Sequence, residues 1–181
     1  MRKRQIRAIF FDIDGTLRDF DTKRVPDSTK EALRKAKEAG ILMFIPTGRH
    51  MLEIEEENLL EDMEFDGYVT LNGQYCYCGD TVVYDDPIDG AEVAAMLKLI
   101  GEDPFPCLFM EDDRMYINMV DETVEKAQAG IGTRIPTVMD VRRASEHPIY
   151  QIVPYISRKR EEEIRRAVPG CEIIRWHDEY A

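Results

Sequence analysis

The sequence predicts an α/β fold, with a parallel-sheet core at the front of the chain and a separate α+β unit behind it. Three observations carry this reading. Apolar runs of strand length alternate with helical patterns from residue 5 to residue 71, the order in which parallel strands are joined by crossover helices. After Asn72-Gly73 the pattern changes to short alternating strands joined by tight turns, the mark of a mostly antiparallel sheet. With 44% hydrophobic and 33% charged residues in 181, the composition is that of a globular chain able to bury a core, as one domain or two small ones.

The elements follow in order. Gln5–Phe11 is a nearly continuous apolar run, as expected for a parallel strand covered on both faces. Ser28–Ala39 reads as a helix capped by Ser28 or Asp27 and stopped by Gly40, with Ala32, Leu33, Ala36 and Ala39 as its buried stripe. Ile41–Ile45 is the second strand, Met51–Met63 an acidic helix with Leu52, Leu59, Leu60 and Met63 inward, and Tyr68–Leu71 the third strand. Gln74–Cys78 and Thr81–Tyr84 form a hairpin around Gly79-Asp80. The remaining expected elements are a helix over Ala91–Ile100, a hairpin of Cys107–Met110 and Met115–Met119, and helices over Glu122–Ala129 and Val138–Arg143. A strand over Ile149–Val153, a charged helix over Arg158–Ala167 and a closing strand over Cys171–Arg175 end the chain. The boundary between the two units is expected near residue 80, giving 1–79 and 80–176, with 177–181 turning back toward the first.

Composition also excludes. A net charge of −12 argues against nucleic-acid binding, and an anionic ligand would need a local cation or oriented N–H groups. The basic clusters Met1-Arg-Lys-Arg4 and Arg158-Lys-Arg160 read as solvated faces. The apolar run behind the first of them breaks at Asp12, too soon for a signal peptide, and no stretch is long enough for a membrane span. Cys76, Cys78, Cys107 and Cys171 are scattered, which points to reduced thiols and a cytoplasmic location. Cys76 and Cys78 share one face of a strand, but His50, His147 and His177 show no ligand spacing. Core-facing cysteines therefore fit better than a zinc site.

The chemistry is concentrated where strands end. Asp12-Ile-Asp14-Gly-Thr follows the first apolar run, Thr47-Gly-Arg49 the second and Asn72-Gly73 the third, and right-handed crossovers bring the three ends to one sheet edge. A buried-strand carboxylate pair costs several kcal/mol unless it holds a cation or does chemistry, although a turn-capping role is the structural alternative. A carboxylate pair, a hydroxyl with a following glycine N–H, and a guanidinium together suit a phosphate and a divalent metal. Asp12 is placed to attack phosphorus and form an aspartyl-phosphate, with Mg²⁺ bridging it to the phosphate. Asp14 can protonate the leaving alcohol and then activate water. Thr47 and the Gly48 N–H can bind a phosphate oxygen, and Arg49 can hold phosphate or substrate. Each has an alternative role: Thr47 as a helix cap, Arg49 as an ion pair with Glu53, Asn72-Gly73 as a turn.

With these residues placed, the chain resembles the haloacid-dehalogenase-like phosphatases. Ile9-Phe-Phe-Asp-Ile-Asp-Gly-Thr-Leu17 is similar to their first motif and Pro46-Thr-Gly-Arg49 to their second, while Leu71-Asn-Gly73 and the later change of fold look like the Cof-type branch. The resemblance implies a Rossmann-like core interrupted by an α+β cap that selects the substrate, and a Mg²⁺-dependent phosphatase of small phosphorylated metabolites. It also implies Asp12 as nucleophile, Asp14 as acid/base with its backbone carbonyl on the metal, and Thr47 on the phosphate, Gly48, Arg49 and Asn72 lying beside it. The family's later motifs, a lysine and then a Gly-Asp metal region, have no counterpart in the residues after the cap. The chain thus reads as a partial core with a whole cap, either active or a catalytically impaired member that binds a phosphorylated ligand or is merely structural. The first strand's open edge is then a surface for a homodimer.

Overall fold

The computed structural model describes residues 6–177 and 179; the basic cluster Met1–Arg4, Gln5 and Asp178 lie outside the described residues. Two compact units divide between Asp85 and Asp86, namely Met1–Asp85 and Asp86–Ala181.

The first unit is built on a five-stranded sheet in the order β1-β2-β3-β4-β5. Strands β1 (Ala8–Phe10), β2 (Leu42–Pro46) and β3 (Gly67–Thr70) are parallel, with Phe10 opposite Phe44 and Pro46 opposite Val69. That register lines up the carboxyl ends of all three strands on one edge. The turn Leu71–Gly73 then reverses the chain, so β4 (Tyr75–Cys78) runs antiparallel to β3, and β5 (Thr81–Asp85) completes the hairpin. The hairpin therefore continues the first sheet, and the change of architecture falls after β5 rather than near residue 80.

Three local expectations are corrected here. Strand β1 is not covered on both faces: it is an edge strand paired with β2, and Ile6 and Phe10 are 66% and 60% exposed. Helix α1 (Asp27–Glu38) starts one residue earlier than Ser28, behind Pro26 and without a side-chain cap; Leu33 and Ala36 face the core while Ala32 and Ala39 are exposed. Its stop is as expected, because Gly40 at φ +72° lets its N–H reach the Lys37 carbonyl (3.0 Å) and the Ile41 N–H reach that of Ala36 (3.1 Å). Helix α2 (Met51–Glu56) ends well before Met63, since Asn58, Glu61 and Asp62 take left-handed backbone that no helix can continue. The turns that follow still carry Leu59 and Leu60 into a core with Ile13, Leu17, Leu33, Met43, Ile45 and Ile54. Burial, not helix, is what the apolar spacing encoded.

The second unit carries a four-stranded sheet in the order β8-β7-β6-β9. Strand β6 (Cys107–Met110) pairs antiparallel with both β7 (Met115–Ile117) and β9 (Gln151–Pro154), and the two-residue β8 (Thr137–Val138) runs parallel to β7. Helix α3 (Gly90–Glu102) is capped by Asp89, whose carboxylate accepts from the Ala91 N–H at 2.7 Å, and it buries Val93, Met96 and Ile100. These pack with Phe109, Tyr116, and with Ile164 of α5 (Arg158–Ala167), in the unit's core. Helix α4 (Glu122–Ile131) is capped by Asp121 and ends at Gly132. Val138–Arg143 is not a helix but divides between β8 and a short 3-10 turn over Val141–Ser145. Cys171–Arg175 keeps a strand's alternation, with Cys171 and Ile173 on the core, yet it has no ladder partner among the described residues. It is held instead by Arg175, whose Nε donates to Glu161 at 2.8 Å. Of the two thiols on β4, Cys76 is half-buried and Cys78 exposed, so neither is the core residue that the sequence suggested.

Candidate active site

The Asp12–Arg18 turn is shaped by what it buries. Ile13 (0% exposed) and Leu17 (2%) are pulled into the first core, which leaves the flanking Asp12 and Asp14 at the rim. The turn closes through Leu17 N–H to the Asp12 carbonyl (3.2 Å), Arg18 N–H to the Ile13 carbonyl (2.9 Å) and Gly15 N–H to the Arg18 carbonyl (2.8 Å). Gly15 sits at φ +76°, a backbone conformation that favours glycine, and a Cβ there would press on the ring of the exposed Phe20, which would have to swing aside. Asp12 is exposed, and its carboxylate makes no hydrogen bond or ion pair among the described residues.

The second loop is held against the third. The Thr47 N–H continues the sheet to the Val69 carbonyl (2.9 Å); the Asn72 N–H reaches the Thr47 carbonyl (3.1 Å) and the Leu71 N–H that of Arg49 (3.3 Å). To do so Leu71 and Asn72 take φ +52° and +57°, a strain of about 1–3 kcal/mol each that the full burial of Leu71 helps offset. A Cβ at Gly48 would stand 2.9 Å from Asn72 Oδ1, so any side chain there would have to push the Asn72 amide aside. Thr47, Gly48 and Asn72 thus form one interlocked unit.

Thr47 does not cap α2. Its Oγ1 accepts from the Arg49 N–H at 3.2 Å, and the cap is His50, whose Nδ1 accepts from the Leu52 N–H at 3.0 Å. Glu53 Oε2 in turn accepts from the His50 N–H at 2.9 Å, which closes a capping box. Arg49 is then directed back over the first loop. Its Nε and Nη2 donate to Asp14 Oδ2 and Oδ1 at 2.7 and 3.1 Å, a bidentate pair, while its Nη1 lies 3.7 Å from Glu53 Oε1. Burial works against the Arg49 charge, but the hydrogen bonds and charge of Asp14, with Glu53 behind it, outweigh that and raise its pKa. Burial likewise pushes the Glu53 carboxyl up, against the opposing effects of the His50 N–H and Arg49.

The oxygen donors suit a hard divalent cation as part of a set: the unpaired Asp12 carboxylate and the Asp14 backbone carbonyl are of the right type, while the Asp14 carboxylate is committed to Arg49. Among the described residues no group of three or more His, Cys, Asp or Glu gathers around a common point.

The family model for haloacid dehalogenase-like hydrolases matches residues 9–176. The chain belongs to this family. Within the haloacid dehalogenase-like hydrolases its relatives are Cof-type. It is 28% identical over 173 residues to YkrA of Bacillus subtilis, which carries a provisional phosphatase name, covering 95% of this chain and 65% of that one. It is 32% identical over 112 residues to the pyridoxal phosphate phosphatase YbhA of Escherichia coli, covering 60% of this chain and 40% of YbhA. The solved HAD subclass IIB sugar phosphatase BT4131 superposes with a TM-score of 0.78 at 36% identity, over 96% of this chain and 68% of that structure. The chain therefore spans about two thirds, or less, of the length of these relatives.

In this family member, then, Asp14 and Arg49 are in direct contact, Asp12 shares the Asp14 turn, and Thr47, Gly48 and Asn72 interlock at the neighbouring strand ends. Two residues of the same network, His50 and Glu53, escaped the reading of the sequence as site residues. Their signal was present in the cap-to-N3 spacing of His50 and Glu53 and in the four-residue step from Arg49 to Glu53.

Proposed function

We propose that this hydrolase is a Mg²⁺-dependent phosphatase of small phosphorylated metabolites, sugar or nucleotide phosphates, acting through an aspartyl-phosphate. One observation carries the reading: an exposed, unpaired Asp12 carboxylate lies two residues from Asp14, which is gripped by Arg49, at the carboxyl end of a parallel strand. The names of YbhA and BT4131, on pyridoxal phosphate and on sugar phosphates, support the substrate class.

Asp12 Oδ attacks phosphorus, a bond forms between them, and the bond from phosphorus to the alcohol oxygen breaks. Asp14 gives a proton to the leaving oxygen as Arg49 takes hold of the resulting carboxylate. Once ionised, in the form that Arg49 holds, Asp14 takes a proton from the water that attacks phosphorus and frees phosphate from Asp12. Thr47 and the Gly48 N–H hold a phosphoryl oxygen, and Arg49 and Asn72 border the phosphate and substrate. The Asp12 carboxylate and the Asp14 backbone carbonyl would hold Mg²⁺, which would supply charge neutralisation for the phosphate. The second unit serves as the substrate-selecting cap. The same reading places the protein in the cytoplasm and lets the open β1 edge pair two copies; no helix among the described residues is long and apolar enough to cross a membrane.

The test is hydrolysis of a panel of sugar and nucleotide phosphates, with and without Mg²⁺, by the protein and by Asp12→Asn. Loss of at least about 10³-fold in kcat/KM in the variant is expected. Equal rates would overturn the enzyme reading. If phosphate binding persisted in that case, the protein would be a phosphate-ligand binder instead.

A further inference from the structure

We infer that Glu53 is a positioning residue that acts through Arg49 on Asp14. The inference rests on the proposed phosphatase reading for its consequence in catalysis, but not for its geometry. Glu53 has two tasks on two oxygens: Oε2 accepts the His50 N–H at 2.9 Å, and Oε1 faces Arg49 Nη1 at 3.7 Å. An exposed i,i+4 pair would have neither the second anchor nor the burial, yet the Arg49 and Glu53 side chains are 15% and 17% exposed.

The guanidinium geometry explains the need. Arg49 spends its Nε and Nη2 edge on the Asp14 carboxylate, and Nη1 points the other way. A long, flexible side chain bound at one edge can still roll about that edge. A second carboxylate 3.7 Å from the opposite end, an ion pair rather than a hydrogen bond, opposes that roll and so steadies the orientation of Asp14. The second carboxylate is itself immobile because the helix cap fixes it. Backbone geometry at the start of α2 is thereby transmitted to a carboxylate on another strand end, through Glu53, Arg49 and Asp14 in turn. The neighbouring Leu71 N–H on the Arg49 carbonyl, at 3.3 Å, steadies the middle of that chain.

Glu53→Gln separates the two tasks. Its amide oxygen can still accept the His50 N–H, but it carries no charge toward Arg49; Glu53→Ala loses both. The measurement is the hydrogen-exchange protection of the Arg49 Nε–H by ¹⁵N NMR, alongside melting temperature and p-nitrophenyl phosphate kinetics with Mg²⁺. Glu53→Gln is expected to keep the melting temperature within a few degrees, cut Arg49 Nε–H protection by about tenfold, and lower kcat by about tenfold with KM little changed. Glu53→Ala is expected to lose stability as well. Unchanged Arg49 protection in a folded Glu53→Gln protein overturns the inference, as does a loss of protection that merely follows global unfolding. If the parent hydrolyses nothing while Glu53→Gln still loosens Arg49, the positioning stands and the phosphatase reading falls.

Discussion

At the scale of single residues, the first loop depends on Gly15 twice over. Its φ of +76° disfavours any side chain, and the Phe20 ring occupies the space a Cβ would need. Gly15→Ala is expected to destabilise the first unit by about 1–3 kcal/mol, read from urea unfolding. Adding Phe20→Ala removes the clash but not the backbone strain, so it should restore part of the loss and no more. Full recovery would show that the backbone conformation costs nothing. The places of Asp12, Asp14, Thr47 and Gly48 at strand ends on one sheet edge were legible because residue types after apolar runs are local facts. The bidentate grip of Arg49 on Asp14 was not, since the partners lie 35 positions apart and only folding brings them together.

At the scale of elements, the closing turn of the β6–β7 hairpin shows how a buried charge is handled in the second unit. Glu111 is 2% exposed and accepts from Arg143 Nε and Nη2, both at 2.7 Å, with His147 Nδ1 at 3.8 Å. Burial alone would raise its carboxyl, but the Arg143 hydrogen bonds lead a group of effects that together hold it below the ordinary 4.5. A lowered folded pKa means the unfolded chain binds the proton first on acidification. The stabilisation is therefore complete above the ordinary carboxylate value and is lost as pH falls through the lowered one. Glu111→Gln should lower stability near pH 7 by roughly 2–3 kcal/mol, less than a fully buried pair because Arg143 is 28% exposed. It should also flatten the melting temperature between about pH 5 and pH 3 relative to the parent. An equally steep acid limb in both proteins would assign the pH dependence elsewhere. The elements themselves were read best where the stop is local, as at Gly40 after α1, although α5 also keeps its expected span, Arg158–Ala167, without a side-chain cap. They were misread where a long apolar pattern was satisfied without regular structure, as in the turns after α2.

For the whole molecule, the open side of the first sheet is the feature with consequences. Among the described residues strand β1 has no partner on its outer side, beside exposed Phe10 and Ile6, with Leu42 of β2 47% exposed next to them. Such an edge invites strand pairing between copies. Light scattering across a concentration series should show mass rising above that of one chain. Phe10→Lys should suppress the rise, because a charge on the edge penalises pairing. The same rise in both proteins would place any association on another surface.

Sequence by itself determined the α/β class, the order and polarity of the strand-end residues, and the family, because all three are written in short-range patterns of apolar spacing, glycine and carboxylate. Tertiary structure alone decided that the hairpin joins the first sheet, that β1 is an edge, and that Arg49 spans Asp14 and Glu53. Those outcomes depend on which distant segments share a ladder or a core, and no local pattern encodes the neighbour across a sheet.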